Sequence, residues 1–279
     1  MTYRKNYIIS LYKINNTKKI NIVTNGFFTE KIIDVTSKIL AECSVDLNIQ
    51  ISLDGLEKTH DKIRRISIFK NAVSTARKLK EMSLQAKNLH VTIQTTISKQ
   101  NLKEIIPLAE YVKRELQAVH HGFQFVRSAS FDVYQIDQNF LSGLDPKLKR
   151  PLLTIKELEE AFKDFSQFSN SDHSLLSSYV RIMNKHIIQM KKEKRPFVKC
   201  LAGKYDAVIW PEGSVSLCEF TKPFANLSHY DFNFYLLWTS KKAEEAKNKI
   251  KACFCTHTCN LLNAMQFNEN ALNEVLAEK

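Results

Sequence analysis

Ile20-Asn21-Ile22-Val23-Thr24-Asn25-Gly26 and Leu47-Asn48-Ile49-Gln50-Ile51-Ser52-Leu53-Asp54-Gly55 are the stretches on which the fold class turns. Each is an apolar, β-branched run that stops at a turn dipeptide, Asn25-Gly26 or Asp54-Gly55, and so reads as a strand. Between them, Thr29 is read as the cap of a helix over 30–42, with Ile32, Ile33, Val35, Ile39 and Leu40 as its apolar residues. The alternation continues with a helix over about 67–82, a strand over 90–97, a helix over 102–117 and a strand over 122–126. Upstream, Tyr7, Ile8, Leu11 and Ile14 fall at the spacing of a short amphipathic helix over 6–14. Strands alternating with helices of this length imply right-handed βα units around a parallel sheet, an α/β fold.

In such sheets the functional residues gather at the C-terminal ends of the strands. Those ends carry Thr24-Asn25-Gly26, Ser52-Leu53-Asp54-Gly55, Thr95-Thr96 and Arg127. Asn-Gly and Asp-Gly are also ordinary turn residues, so the clusters alone are only suggestive.

Beyond residue 128 the pattern changes. Residues 128–153 show no period, with Gly143 and Pro146 as breakers, and read as a linker or crossover. Thr154 and Glu157 form a capping box opening a helix to about 165, and a longer helix over 175–194 is stopped by Pro196. Short β segments follow, giving an expected division into 1–130, 131–195 and 196–279.

Five of the six cysteines lie in that last part: Cys200, Cys218, Cys253, Cys255 and Cys259. The first two flank the hairpin-like run 207–217. Thiolates drawn from two distant segments suit a soft metal or an iron–sulfur cluster, with disulfides as the rival reading. The first residues show no apolar core followed by a small-residue cleavage site. A reducing, cytoplasmic setting is therefore expected, and it favours metal over disulfide. Cys43 is expected to be a small buried hydrophobe, and His257 a supporting residue rather than a ligand.

At 279 residues, 44% hydrophobic and 25% charged, the chain has the composition of a globular protein with a sizeable core. No apolar run approaches the roughly 20 residues needed to span a bilayer, so no membrane partner is expected. The net charge of +12 raises the question of nucleic acid, but only nine of 41 basic residues are Arg. The longest basic run, Lys191-Lys192-Glu193-Lys194-Arg195, closes a helix where cations suit the dipole. No nucleic-acid partner is expected either.

Taken together, strand ends and cysteines resemble a radical SAM enzyme with a C-terminal Twitch or SPASM-type iron–sulfur domain. The resemblance is carried by Thr24-Asn25-Gly26, Ser52-Leu53-Asp54-Gly55, His60-Asp61-Lys62-Ile63-Arg64 and Thr96-Ile97-Ser98-Lys99-Gln100-Asn101. In the C-terminal part it is carried by Cys200-Leu201-Ala202-Gly203, Pro211, Gly213, Val215, Cys218-Glu219, Ala225-Asn226-Leu227, Trp238, Ser240 and the run from Cys253 to Cys259. It implies a partial (βα)6 barrel, strands 3–6, followed by a small α+β iron–sulfur domain. It further implies that Ser52 contacts the SAM ribose, that Arg64 pairs with the SAM carboxylate, and that Asn25 and Asp54 line the same cavity. Cys200 and Cys218 are the first expected ligands of an auxiliary [4Fe–4S] cluster, with Cys259, Cys255 and Cys253 completing the set. Which four of the five ligate stays open, and a four-cysteine zinc site is the alternative. A full SPASM domain needs more cysteines, so Twitch fits better.

Two family motifs are missing from these residues: the CxxxCxxC loop that holds the SAM-binding cluster, and the GGEP-like motif. Tyr3-Arg4-Lys5-Asn6-Tyr7-Ile8-Ile9 looks like the segment after GGEP. The expectation is a barrel lacking its first two strands, with an unpaired edge and an uncovered apolar interior. Such a chain would aggregate or take a partner chain supplying the missing strands. It would not start radical chemistry alone, and would use SAM only when intact or complemented. A smaller departure is Ala225, where the family has Gly. A small-molecule or peptide substrate and a reductase are the further partners implied. The other class of function is a non-catalytic iron–sulfur or zinc protein serving electron transfer or scaffolding.

Overall fold

The computed structural model describes residues 17–116, 120–126, 153–169, 175–249 and 257–278, together with Ile9 and Tyr12. Two compact units are present: Met1–Phe125 with Lys163–Phe168, and Val126–Phe162 with Ser169–Lys279. No helix among the described residues is long and apolar enough to cross a membrane.

The first unit is built on four strands, β1 (Lys19–Thr24), β2 (Asp46–Ser52), β3 (Leu89–Ile97) and β4 (His120–Phe125), in the order β1-β2-β3-β4. All neighbours run parallel, as the alternation with helices requires. Register aligns Ile22 with Ile49 and Val91, and Ile51 with Ile93 and His121. One face of the sheet is therefore apolar: Leu47, Ile49, Ile51, Val91, Ile93 and Phe123 are buried on it. Helices α1 (Thr29–Glu42), α3 (Phe69–Gln85) and α4 (Ile105–Glu115) pack there through Ile32, Ile39, Ala72, Ala76, Leu79, Leu108 and Val112. Phe165 stacks on Phe123 with ring centroids 5.6 Å apart.

The opposite face corrects the expectation of an apolar interior. It carries a ladder of polar side chains bonded from strand to strand. Asn48 Nδ2 donates to Asn21 Oδ1 (2.7 Å) and to Thr92 Oγ1 (3.2 Å), and Asn21 Nδ2 donates to Gln50 Oε1 (3.1 Å). Gln50 Nε2 donates to Gln94 Oε1 (3.0 Å), and Gln124 Nε2 to Thr96 Oγ1 (3.1 Å). Because side chains alternate across a strand, every second residue of β1 to β4 lands on this face. Val23, 60% exposed, is its main apolar exception. The unpaired edge does stand: β1 ends the sheet among the described residues.

Local differences have local causes. Thr29 is the first helical residue of α1 rather than its cap; its hydroxyl bonds Thr75 Oγ1 (2.7 Å), tying α1 to α3. A short helix, α2 (Glu57–Arg64), adds to the expected elements, since eight mostly polar residues give no readable period. The stretch 102–117 splits into a 3-10 turn, Leu102–Glu104, and α4, with Pro107 in the first turn of α4 where its missing N–H costs nothing. Of the expected helix over 6–14, only Ile9 and Tyr12 are described, both helical. The linker expected over 128–153 lies almost wholly outside the described residues.

In the second unit the Thr154–Glu157 capping box forms as expected. Thr154 N donates to Glu157 Oε2 (2.7 Å) and Glu157 N to Thr154 Oγ1 (3.3 Å), opening α5 (Ile155–Ser169). Helix α6 (Leu175–Glu193) is tied to α10 (Glu269–Ala277) by His186 Nε2 and Glu274 Oε2, 2.9 Å apart. Arg181 Nε adds a second link to Glu278 Oε2 at 3.2 Å. A three-stranded antiparallel sheet follows, β5 (Val208–Ile209), β6 (Ser214–Ser216) and β7 (Ala225–Asn226). Gly213 closes its first turn at φ +86°, a conformation side chains resist. Short helices α7 (Phe234–Trp238), α8 (Lys241–Asn248) and α9 (Thr258–Met265) precede α10.

Candidate functional site

At the C-terminal ends of β2 and β3, the residues of three sequence motifs interlock around Asp54. Asp54 is buried, and its Oδ2 lies 2.6 Å from Arg64 Nη2 while its Oδ1 accepts from Thr96 N at 3.1 Å. Its backbone N–H donates to His60 Nδ1 (3.0 Å), and its carbonyl accepts from Asn101 Nδ2 (2.7 Å). Asn101 also donates to Thr96 O (2.9 Å) and accepts from Ser98 N (2.8 Å). A buried polar group must be paired or it is costly, and here nearly every group is paired.

Helix α2 exists to hold this arrangement. His60 receives the Asp54 N–H. Asp61 Oδ1 accepts from Ile68 N and Phe69 N, both at 2.9 Å, and so caps α3 from outside that helix. Arg64, one turn on, reaches back to Asp54. Gly55 admits no side chain, because a Cβ there would lie 2.8 Å from Glu104 Oε2. Glu104 in turn accepts from Leu56 N (2.9 Å) and Thr59 Oγ1 (2.6 Å).

Two donors are left without a partner among the described residues. His60 is fully buried, and because Nδ1 accepts a hydrogen bond its neutral ring carries the proton on Nε2, which has no partner. Burial lowers its pKa, and the Arg64 charge acts in the same direction against Asp54 and Asp61. Arg64 Nε is likewise buried without a partner, although its side chain is 30% exposed.

Of the residues expected in a cofactor site, Ser52 ends β2 on the polar face, half-buried and without a side-chain hydrogen bond among the described residues. Asp54 and Arg64 are paired with each other. Asn25 stands apart from them: it is exposed, and its Oδ1 accepts from Phe27 N (3.2 Å) in the turn after β1. Gly26 beside it sits at φ +73°. Arg127 lies outside the described residues.

Sequence reading gives no role to Asn101, Glu104 or His121. The first falls within a quoted motif; the other two carry no signal. His121 lies on the apolar face, its ring 4.1 Å from that of Phe123. Thr95 Oγ1 spends its proton on Leu53 O (2.7 Å), so His121 Nε2, 2.8 Å away, must be the donor to it. The residue is partly exposed, but Nδ1 is out of reach of solvent and unpartnered. Burial, reinforced by the His120 charge, pushes its pKa down to about 3.

In the second unit the expected thiols fall on separate elements. Cys218 is buried just after β6, Cys200 is half-buried ahead of the hairpin, and Cys259 is exposed in the first turn of α9. Cys253 and Cys255 lie outside the described residues. Among the described residues no three His, Cys, Asp or Glu side chains come close enough to hold a metal ion. Two polar links join the Cys218 segment to α9. His257 Nε2 lies 3.5 Å from Glu219 Oε2, and Asn260 Nδ2 donates to Cys218 Sγ at 3.5 Å. Among the described residues, His257 Nδ1 and Asp206 Oδ2 are buried without partners. Burial pushes the Asp206 carboxyl up, against a hydrogen bond from Asn263 and the His257 charge.

No protein-family model and no curated protein matches the sequence. Two of the solved structures that match the fold are of one enzyme. One is native anSMEcpe, an anaerobic sulfatase-maturating radical SAM enzyme, with bound AdoMet and the Cp18Cys peptide (TM-score 0.52, 16% identity, 83% of this chain and 61% of that one). The other is anSMEcpe carrying a polyhistidine tag, with bound AdoMet (TM-score 0.52, 14% identity, 83% and 57%). This chain thus spans about 60% of the length of the enzyme it matches. At such identities the likeness is one of fold: the chain shares an α/β architecture with that enzyme.

Proposed function

We propose that the chain is part of a radical SAM oxidoreductase or maturase whose C-terminal cysteines hold an auxiliary [4Fe–4S] cluster of the Twitch type. The observation that carries the reading is the Asp54 interlock. It holds Arg64, at the end of α2, against Asp54, two residues past Ser52 at the end of β2, in a parallel sheet whose fold is matched by an AdoMet-bound enzyme. Bound SAM supplies hydrogen-atom abstraction chemistry. This chain's part is to bind it. Asp54 fixes the Arg64 guanidinium, whose side chain keeps 30% exposure and so presents charge-assisted donors to a carboxylate, and the residues fit the group. In this reading Ser52 offers its hydroxyl to the ribose, and Asn25 and Asp54 help line the same cavity.

The cysteines of this sequence are Cys43 and the five from Cys200 onward, so the ligands of the SAM-cleaving cluster come from outside these residues. That source is a longer chain or a partner supplying the first two strands of a (βα)6 barrel. For the auxiliary cluster the donor chemistry fits at Cys218, whose sulfur already accepts a hydrogen bond as a ligand thiolate does. Cys200, Cys259, Cys253 and Cys255 complete the set, within a unit of about 196–279. The substrate is a peptide or small molecule, and a reductase supplies electrons. The cysteine inventory also favours a second reading, a non-catalytic iron–sulfur or zinc protein for electron transfer.

Anaerobic reconstitution with iron and sulfide, followed by metal analysis, tests the cluster. About four irons per chain are expected; stoichiometric zinc with no visible chromophore overturns it. These 279 residues given SAM and dithionite should release no 5′-deoxyadenosine. Complementation by a chain carrying the missing strands should restore that release, and Arg64→Ala should abolish it.

A further inference from the structure

We infer that Asn260 positions and tunes the auxiliary cluster: its side-chain amide donates to the Cys218 sulfur and raises the reduction potential of the cluster that sulfur ligates. This rests on the cluster reading above. Both partners are buried, Cys218 at 4% and Asn260 at 5% exposure, and the donor–sulfur distance is 3.5 Å across 42 residues of chain. A buried amide N–H requires a partner, and a neutral thiol is a poor one. Against a structural thiol, which packs as a small hydrophobe, an apolar residue would serve at least as well. An amide N–H aimed at the sulfur is matched instead to a thiolate, where the bond is charge-assisted.

The sulfur is also held still. Cys218 N donates to Thr221 Oγ1 (3.1 Å), and Cys218 O accepts from Thr221 N (3.1 Å) and from Ser216 Oγ (3.0 Å). Ser216 is itself anchored by Trp210 Nε1 at 2.9 Å. With the backbone on both sides of Cys218 bonded, Asn260 meets a sulfur of fixed position. Asn260 rides on the helix that also carries Cys259, so one turn of α9 supplies a candidate ligand and a donor to another ligand. His257, at the start of that helix, bridges to Glu219 beside Cys218. Hydrogen bonds to ligand sulfurs favour the more negative, reduced cluster, and so raise its potential.

The test compares the reconstituted wild-type chain, Asn260→Leu and Asn260→Asp by potentiometric titration with dithionite, followed by EPR. Adding one electron to the oxidised cluster is the only step read. At equal iron content, Asn260→Leu should shift to a more negative potential, with a several-fold smaller reduced fraction at a fixed solution potential. Asn260→Asp, which keeps the shape but replaces the donor with an acceptor, should shift further the same way. Equal potentials in the three proteins overturn the inference while leaving the cluster in place. Loss of iron from both variants makes Asn260 a folding residue and also overturns it. A wild type that binds no iron–sulfur cluster overturns the cluster reading itself, and this inference with it.

Discussion

Asp54 ties the first unit together at one point, because its four polar groups reach two residues of α2 and two at the end of β3 and just beyond it. Its carboxylate meets Arg64 and the Thr96 N–H, while its backbone meets His60 and Asn101. Asp54→Asn keeps the shape but leaves the Arg64 charge without its counter-ion, and one amide N–H then faces a donor. A loss of about 2–4 kcal/mol in urea-denaturation stability is expected. Asn101→Ala removes the two donors to Asp54 O and Thr96 O and should cost roughly 2 kcal/mol by the same measurement. The residue types are legible in the sequence, since Ser52, Asp54, His60, Arg64 and Asn101 all stand in the motifs that carry the family resemblance. Their division of labour is not. Which of them bond to each other depends on strands separated by some 40 residues being brought into register, and periodicity carries no information on that. Hence Arg64, expected to face a cofactor, spends part of its guanidinium on Asp54.

Among the elements, the turn after β1 meets the backbone of α3 at close range. Gly26 sits at φ +73°, and a Cβ there would lie 2.7 Å from the Ala72 backbone. Both features exclude any side chain, and the second cannot be relieved by rotating a rotamer. Gly26→Ala should therefore destabilise the first unit by at least about 1–3 kcal/mol, measured by thermal melting. The adjacent Thr29–Thr75 bond couples the same elements and should be disturbed with it. At this scale the sequence is most informative where the period is long. Each strand of the first unit is placed to within two residues at either end, and α6 to within one, because several apolar residues agree on one face. Helix α2 is invisible, for its eight residues are organised by side-chain hydrogen bonds rather than by burial. The polar face of the sheet reads as apolar only when each strand is treated as wholly buried. Asn21, Asn48, Gln50, Thr92 and Gln94 alternate with the buried residues, and that alternation is the signal.

At the scale of the whole molecule, the two units carry opposite responses to acid. In the first, His121 has its pKa pushed down to about 3 from 6.5, and burial lowers that of His60 as well. Between those limits the unfolded chain binds a proton that the folded chain refuses, so stability rises with pH across the window. The contribution is complete above 6.5 and is lost as the pH falls toward 3. For His121 alone, lowering the pH from 7 to 5 removes about 2 kcal/mol. In the second unit Asp206 works the other way. Its raised pKa means the folded state takes up a proton more readily than the unfolded one, so acid relieves a cost there. Hydrogen exchange at pH 7 and pH 5 should separate the two. Amides of β3 and β4 should lose protection at the lower pH, while those pairing β5 with β6 should keep theirs. His121→Gln retains a donor toward Thr95 but cannot titrate, so it should flatten the response of β3 and β4. If β3 and β4 keep full protection at pH 5 in the wild type, His121 is not held neutral by the fold.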